Sequence, residues 1–137
     1  MKIVGTQTPP PASVEKRNAL EAMLPPDLPA DYLILFENYD GADIWFDDVD
    51  WSRDEFDYLR LDSVDEMLDV ETRATLSETF PGLFVIGSDG GGQILAYDST
   101  RPKPWPIVMH LPGYSKLGSA PVVASSMTEL MQRYLKA

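Results

Sequence analysis

A chain of 137 residues with 44% hydrophobic content has the size and composition of one folded domain. Its 22 acidic and 11 basic residues leave a net charge of −11, which argues against duplex nucleic acid and anionic membranes as partners, since both require a basic footprint. No cysteine is present, so disulfides, thiolate nucleophiles and Cys-ligated metals are excluded.

From the N-terminus, Met1 to Thr8 lacks the apolar stretch of a signal peptide, and no run of the chain approaches the roughly 18 residues of a membrane span. A soluble, cytoplasmic protein is expected. With Pro9-Pro10-Pro11, residues 1–12 read as a loosely ordered leader ahead of a domain over 13–137. Ser13 is placed to cap a helix running to about Leu24, with Val14, Leu20 and Leu24 on its apolar side and Pro25-Pro26 as its stop. A second helix from Pro29 carries Tyr32, Leu33, Leu35 and Phe36 at helical spacing, with Gly41 as terminator.

Ala42 to Trp45 or Phe46 and Tyr58 to Leu61 read as short strands. Ser63-Val64-Asp65-Glu66 has the form of a capping box and predicts a helix to about Thr79, with Val64, Met67, Leu68 and Leu76 inward. Two apolar runs within 83–98 flank Ser88-Asp89-Gly90-Gly91-Gly92, the pattern of a β-hairpin, because Asp and Gly tolerate the positive φ of its turn. These glycines do not build a phosphate loop. A dinucleotide fingerprint begun at Gly90 needs Gly where Leu95 stands, and no Lys follows Gly92 before Lys103. Pro106 to His110 predicts a strand confined by its prolines to an edge or a strand start, and Pro121 to Ala124 the last strand. Ser125 or Ser126 caps a closing helix with Met127, Leu130, Met131 and Tyr134 on one face. Strands and helices are segregated, so the expected class is α+β with a mainly antiparallel sheet.

The charge imbalance is local. Between Asp40 and Glu71 acidic residues crowd against only Arg53 and Arg60, whereas elsewhere the two signs cancel. Within this window Trp45, Phe46, Trp51, Phe56 and Tyr58 are interleaved with Asp47, Asp48, Asp50, Asp54, Glu55 and Asp57. Trp45, Phe46, Phe56 and Tyr58 are expected to close the core. Trp51, bracketed by Asp50 and Ser52, is the candidate exposed anchor of a partner surface made with those six carboxylates. Asp48 to Asp54 imitates the start of a calcium loop, but Arg53 stands where Gly is required and Leu59 where the closing Glu belongs. No metal or cofactor is expected. The lone His110 has no nucleophile motif beside it and reads as a partly buried structural residue.

The strand Phe84-Val85-Ile86-Gly87, the turn Ser88-Asp89-Gly90-Gly91-Gly92 and the strand ending Ala96-Tyr97-Asp98 together resemble the signature of the SUKH superfamily. Leu28-Pro29-Ala30-Asp31-Tyr32, Asn38-Tyr39-Asp40-Gly41, Tyr58-Leu59-Arg60-Leu61 and Ala124-Ser125-Ser126-Met127 fit its order, over about residues 24–136. The resemblance implies a non-enzymatic binding module of a group that includes bacterial toxin-immunity proteins and a fungal cell-wall synthesis regulator. Its toxins are often nucleases with basic grooves, which implies an immunity protein meeting a basic toxin domain through acidic residues. The alternatives are an adaptor for another cellular partner and a small carboxylate-dependent hydrolase. Residues 42–57 match no family motif and are where partner choice is expected. Nothing in the sequence sets an oligomeric state.

Overall fold

In the computed structural model, which describes residues 1–135, seven strands follow one another in chain order across a single antiparallel sheet. They are β1 (Lys2–Gln7), β2 (Ala42–Asp47), β3 (Tyr58–Leu61), β4 (Leu83–Ser88), β5 (Ile94–Asp98), β6 (Ile107–His110) and β7 (Val122–Ala124). Five helices accompany them: α1 (Val14–Met23), α2 (Tyr32–Asn38), α3 (Val64–Met67), α4 (Val70–Thr79) and α5 (Met127–Tyr134). The class is α+β, and the sheet is curled. Residues 136–137 of the expected domain lie outside the described residues.

Local chemistry sets most helix starts. Ser13 accepts from the Lys16 amide, Asp69 from Thr72 and Ser126 from Glu129. Ser63 and Glu66 form the full capping box. The single helix expected over 63–79 is two, however. Leu68 closes α3 and Asp69 opens α4 as a new N-cap, so the strong Asp cap wins over helix continuation.

The main core lies between the sheet and α1, α2, α3 and α5, and joins Leu20, Tyr32, Leu35 and Phe36 to Ile44, Leu59, Leu61, Ile86, Leu95, Tyr97 and Ile107. All four apolar residues named for α5 are buried there. A second cluster, Leu83, Val85, Ala96, Val108 and Ala120, lies on the opposite face, with Leu76 and Phe80 packed against it. β4, β5 and β6 are therefore covered on both faces, which is why they read as near-continuous apolar runs rather than alternating ones.

One expectation is corrected and an alternative is resolved. The leader is not loose throughout: Lys2–Gln7 pairs with β2 as an edge strand, with Ile3 packed against the core and Lys2, Thr6 and Gln7 suiting an exposed edge. β6 runs between β5 and β7, and of the two placements its prolines allowed it takes the strand start: Pro106 immediately precedes it, where a missing N–H costs the ladder nothing.

Candidate partner-binding surface

In a sheet whose strands are neighbours in chain order, every second connection emerges at the same end. The β2–β3 connection (48–57), the β4–β5 turn (89–93) and the β6–β7 connection (111–121) therefore share one end of the sheet.

The β2–β3 connection is the acidic segment, and it is a built loop. Asp48 and Asp54 both hold left-handed backbone, at φ 52° and 57°, a conformation Asp tolerates better than most residues. Between them Trp51–Arg53 forms one 3-10 turn. Asp50 caps it, accepting from the Ser52 amide at 3.0 Å and the Ser52 hydroxyl at 2.6 Å, and these bonds hold its carboxyl below the usual carboxylate range. Glu55 closes the loop by accepting from the Asp50 amide at 2.8 Å and from the terminal ammonium of Met1 at 3.1 Å; its carboxyl is likewise lowered, first by the Asp50 amide. Beneath the loop Phe56 is buried against Phe46 and Tyr134, which pins it to α5.

The proposed acids thus divide. Asp50 and Glu55 spend their carboxylates inside the loop, whereas Asp47, Asp48, Asp54 and Asp57 present exposed side chains. Trp51 is 66% exposed at the centre of the loop.

Two aromatics assigned to the core are placed elsewhere. The alternation of β2 buries Ile44 and Phe46 and turns Trp45 outward, 41% exposed, where it lies 5.5 Å from the ring of Tyr58. The hydroxyl of Tyr58 donates to Asp43, and the Arg60 guanidinium joins Asp43, Asp62 and Glu66 on the same outer face. The sequence signal was the strict alternation Ala42-Asp43-Ile44-Trp45-Phe46-Asp47, whose phase is set by buried Ile44 and Phe46.

The β4–β5 turn is shaped by Asp89, whose Oδ1 accepts from the amides of Gly91 at 2.8 Å and Gln93 at 3.0 Å. Gly90 and Gly92 have positive φ, and Gly91 does not. Gly87 serves a different purpose: a Cβ there would stand 1.9 Å from the Arg60 carbonyl oxygen, so only glycine lets β4 approach β3. These residues are scaffold, and Tyr58 packs over Gly90.

His110 ends β6 with its ring 6.0 Å from Phe80, and its Nδ1 has no hydrogen-bond partner among the described residues. Among the described residues no serine or carboxylate is hydrogen-bonded to it. Among the described residues no group of three or more His, Asp or Glu side chains is arranged to hold a metal, and no helix is long and apolar enough to cross a membrane.

The third connection escaped the sequence reading. Tyr114, 84% exposed, stands in it on a turn closed by hydrogen bonds from the Tyr114 and Ser115 amides to Leu111 O and from the Leu111 amide to Ser115 Oγ. One tyrosine in a polar stretch gives no periodicity signal; only the curl of the sheet shows what lies beside it.

No curated protein matches the chain. The profile of the SMI1 / KNR4 family (SUKH-1) matches residues 11–133, nearly the whole described structure from just past β1 to the last turn of α5, and agrees with the resemblance read from the Gly-rich hairpin. On that coverage, the chain belongs to the SMI1 / KNR4 family (SUKH-1).

Proposed function

We propose that this protein is a non-enzymatic binding module that neutralises a basic toxin domain by direct contact through its β2–β3 loop. The observation that carries the reading is Trp51, a large aromatic left two-thirds exposed at the centre of a hydrogen-bonded acidic loop. Leaving an indole in water is unfavourable unless a partner covers it, and a loop already ordered loses little entropy on binding. The exposed carboxylates around it accelerate encounter with a positive surface, including the nucleic-acid groove of a nuclease. Family membership supports binding over catalysis, since this is not a known enzyme family. The site of action is the cytoplasm, where such a toxin would meet its substrate.

The test uses a partner captured on the wild-type protein, identified and purified separately. Asp47→Lys with Asp57→Lys should slow association and flatten its salt dependence, because neither carboxylate has a role inside the loop. Trp51→Ala should act on dissociation, costing about 2 kcal/mol. Unchanged rates for both variants would exclude this loop as the interface.

A further inference from the structure

The curl of the sheet brings the acidic loop to a second loop far from it in sequence. Asp54, at the end of the 3-10 turn, lines an open cleft of about 440 Å³ together with Gln93 from the β4–β5 turn and Leu111, Tyr114, Lys116 and Pro121 from the β6–β7 connection. Its walls are fixed before anything binds. Asp54 is held at φ 57°, Gln93 donates its amide to Asp89, and the turns at Leu111–Ser115 and Lys116–Ser119 are each closed by hydrogen bonds. Into this wall project one exposed carboxylate and one exposed phenol ring.

We propose that this cleft receives an arginine side chain of the partner, its guanidinium paired with the Asp54 carboxylate and stacked on the Tyr114 ring. The proposal rests on the reading of the neighbouring acidic loop as the partner surface, and adds the specific residue type recognised. Arginine suits the site better than lysine. Its guanidinium is planar, weakly hydrated and able to meet a carboxylate edge-on while lying against an aromatic face. Lys116 lines the same cleft and Arg53 stands on the acidic loop, and both oppose a cation, but six carboxylates on the adjoining loops, Asp48, Asp50, Asp54, Glu55, Asp57 and Asp89, keep this end of the sheet negative. Asp54 also ends the 3-10 turn that carries Trp51, so one loop supplies both the aromatic anchor and a wall of the socket.

The probe is an acetylated Gly-Arg-Gly amide, compared with the Gly-Lys-Gly and Gly-citrulline-Gly peptides, titrated into the ¹⁵N-labelled full-length protein. Saturable amide shifts should centre on Asp54, Gln93, Tyr114 and Ser115, be larger for arginine than for lysine, and vanish for citrulline. Tyr114→Ala, a change at an exposed ring that the fold tolerates, should weaken binding about threefold. Asp54→Asn should abolish the preference over citrulline, and Lys116→Glu should tighten binding about threefold. Equal shifts with citrulline, absence of saturable shifts in the cleft, or arginine shifts untouched by Asp54→Asn and Tyr114→Ala would each overturn the assignment. The kinetics of the Trp51 and Asp47/Asp57 variants judge the acidic loop separately. Altered kinetics with a silent cleft remove only this inference, and unaltered kinetics with a responsive cleft remove only the reading of the loop.

Discussion

At the scale of single residues, the glycines of the hairpin separate into those the backbone needs and those it does not. Gly87 is required by the approach of two strands, and Gly90 by a φ of +75° with the Tyr58 ring 2.8 Å from any added Cβ. Gly91 has ordinary φ and meets nothing closer than the Asp89 carboxylate at 3.7 Å. Urea denaturation should therefore show Gly87→Ala destabilised by about 3 kcal/mol and Gly90→Val by about 2 kcal/mol, with Gly91→Ala within about 0.5 kcal/mol of wild type. A destabilised Gly91→Ala would mean the turn is shaped differently. The motif Gly90-Gly91-Gly92 does not reveal this difference, because φ at each glycine follows from the Asp89 hydrogen bonds rather than from residue type.

At the scale of elements, α4 differs from the other helices because none of its residues is fully buried. It is held by Leu76 against the second cluster and by Arg73. That side chain donates to the Val85 carbonyl at 2.6 Å, and its guanidinium lies 4.6 Å from the centre of the Phe84 ring. Removing this strap leaves the Val85 oxygen without its charged donor, a loss of about 2 kcal/mol. Arg73→Ala should lower hydrogen-exchange protection along α4 well before that of α5, whose four buried residues anchor it independently. Uniform loss of protection across both helices would show that α4 is not a separately fastened unit. Helix periodicity marked the α5 face completely, whereas for α4 it marked only Leu76: a helix tied down by an arginine has no apolar stripe to read.

At the scale of the whole molecule, acidity and stability are coupled through Asp62. Burial, with the Glu66 carboxylate beside it, pushes the Asp62 carboxyl up to about 6, while Arg60 and Arg73 pull the other way. A carboxyl whose folded pKa lies above its unfolded value of about 3.9 binds its proton more tightly when folded, so stability rises as pH falls through 6 towards 4. Asp50, Glu55 and Glu129 are shifted down by the hydrogen bonds they accept, and their contribution is lost as pH falls below the usual carboxylate range. The protein should be most stable near pH 5, with self-repulsion from its charge of −11 also easing there. Asp62→Asn should raise stability at pH 7 by an amount on the order of 2 kcal/mol and flatten the curve between pH 6 and 4. If the wild-type curve is already flat across that interval, Asp62 is not held in a desolvated site of this kind.

Elements whose causes are local were legible from the residues alone. The hairpin, the Ser63–Glu66 capping box, the apolar face of α5, the edges of β3 and the concentration of acid in one segment all follow from residues within a turn or two of one another. Features that depend on neighbours distant in the chain emerged only on folding. Pairing with β2 made a strand of Lys2–Gln7, and the fold turned Trp45 and Tyr58 outward while burying Phe46 and Phe56. It committed Asp50 and Glu55 to the loop and left Asp47 and Asp57 to solvent. It also set Tyr114 across a cleft from Asp54, sixty residues earlier in the chain, since curling a sheet joins loops that no local pattern of residues connects.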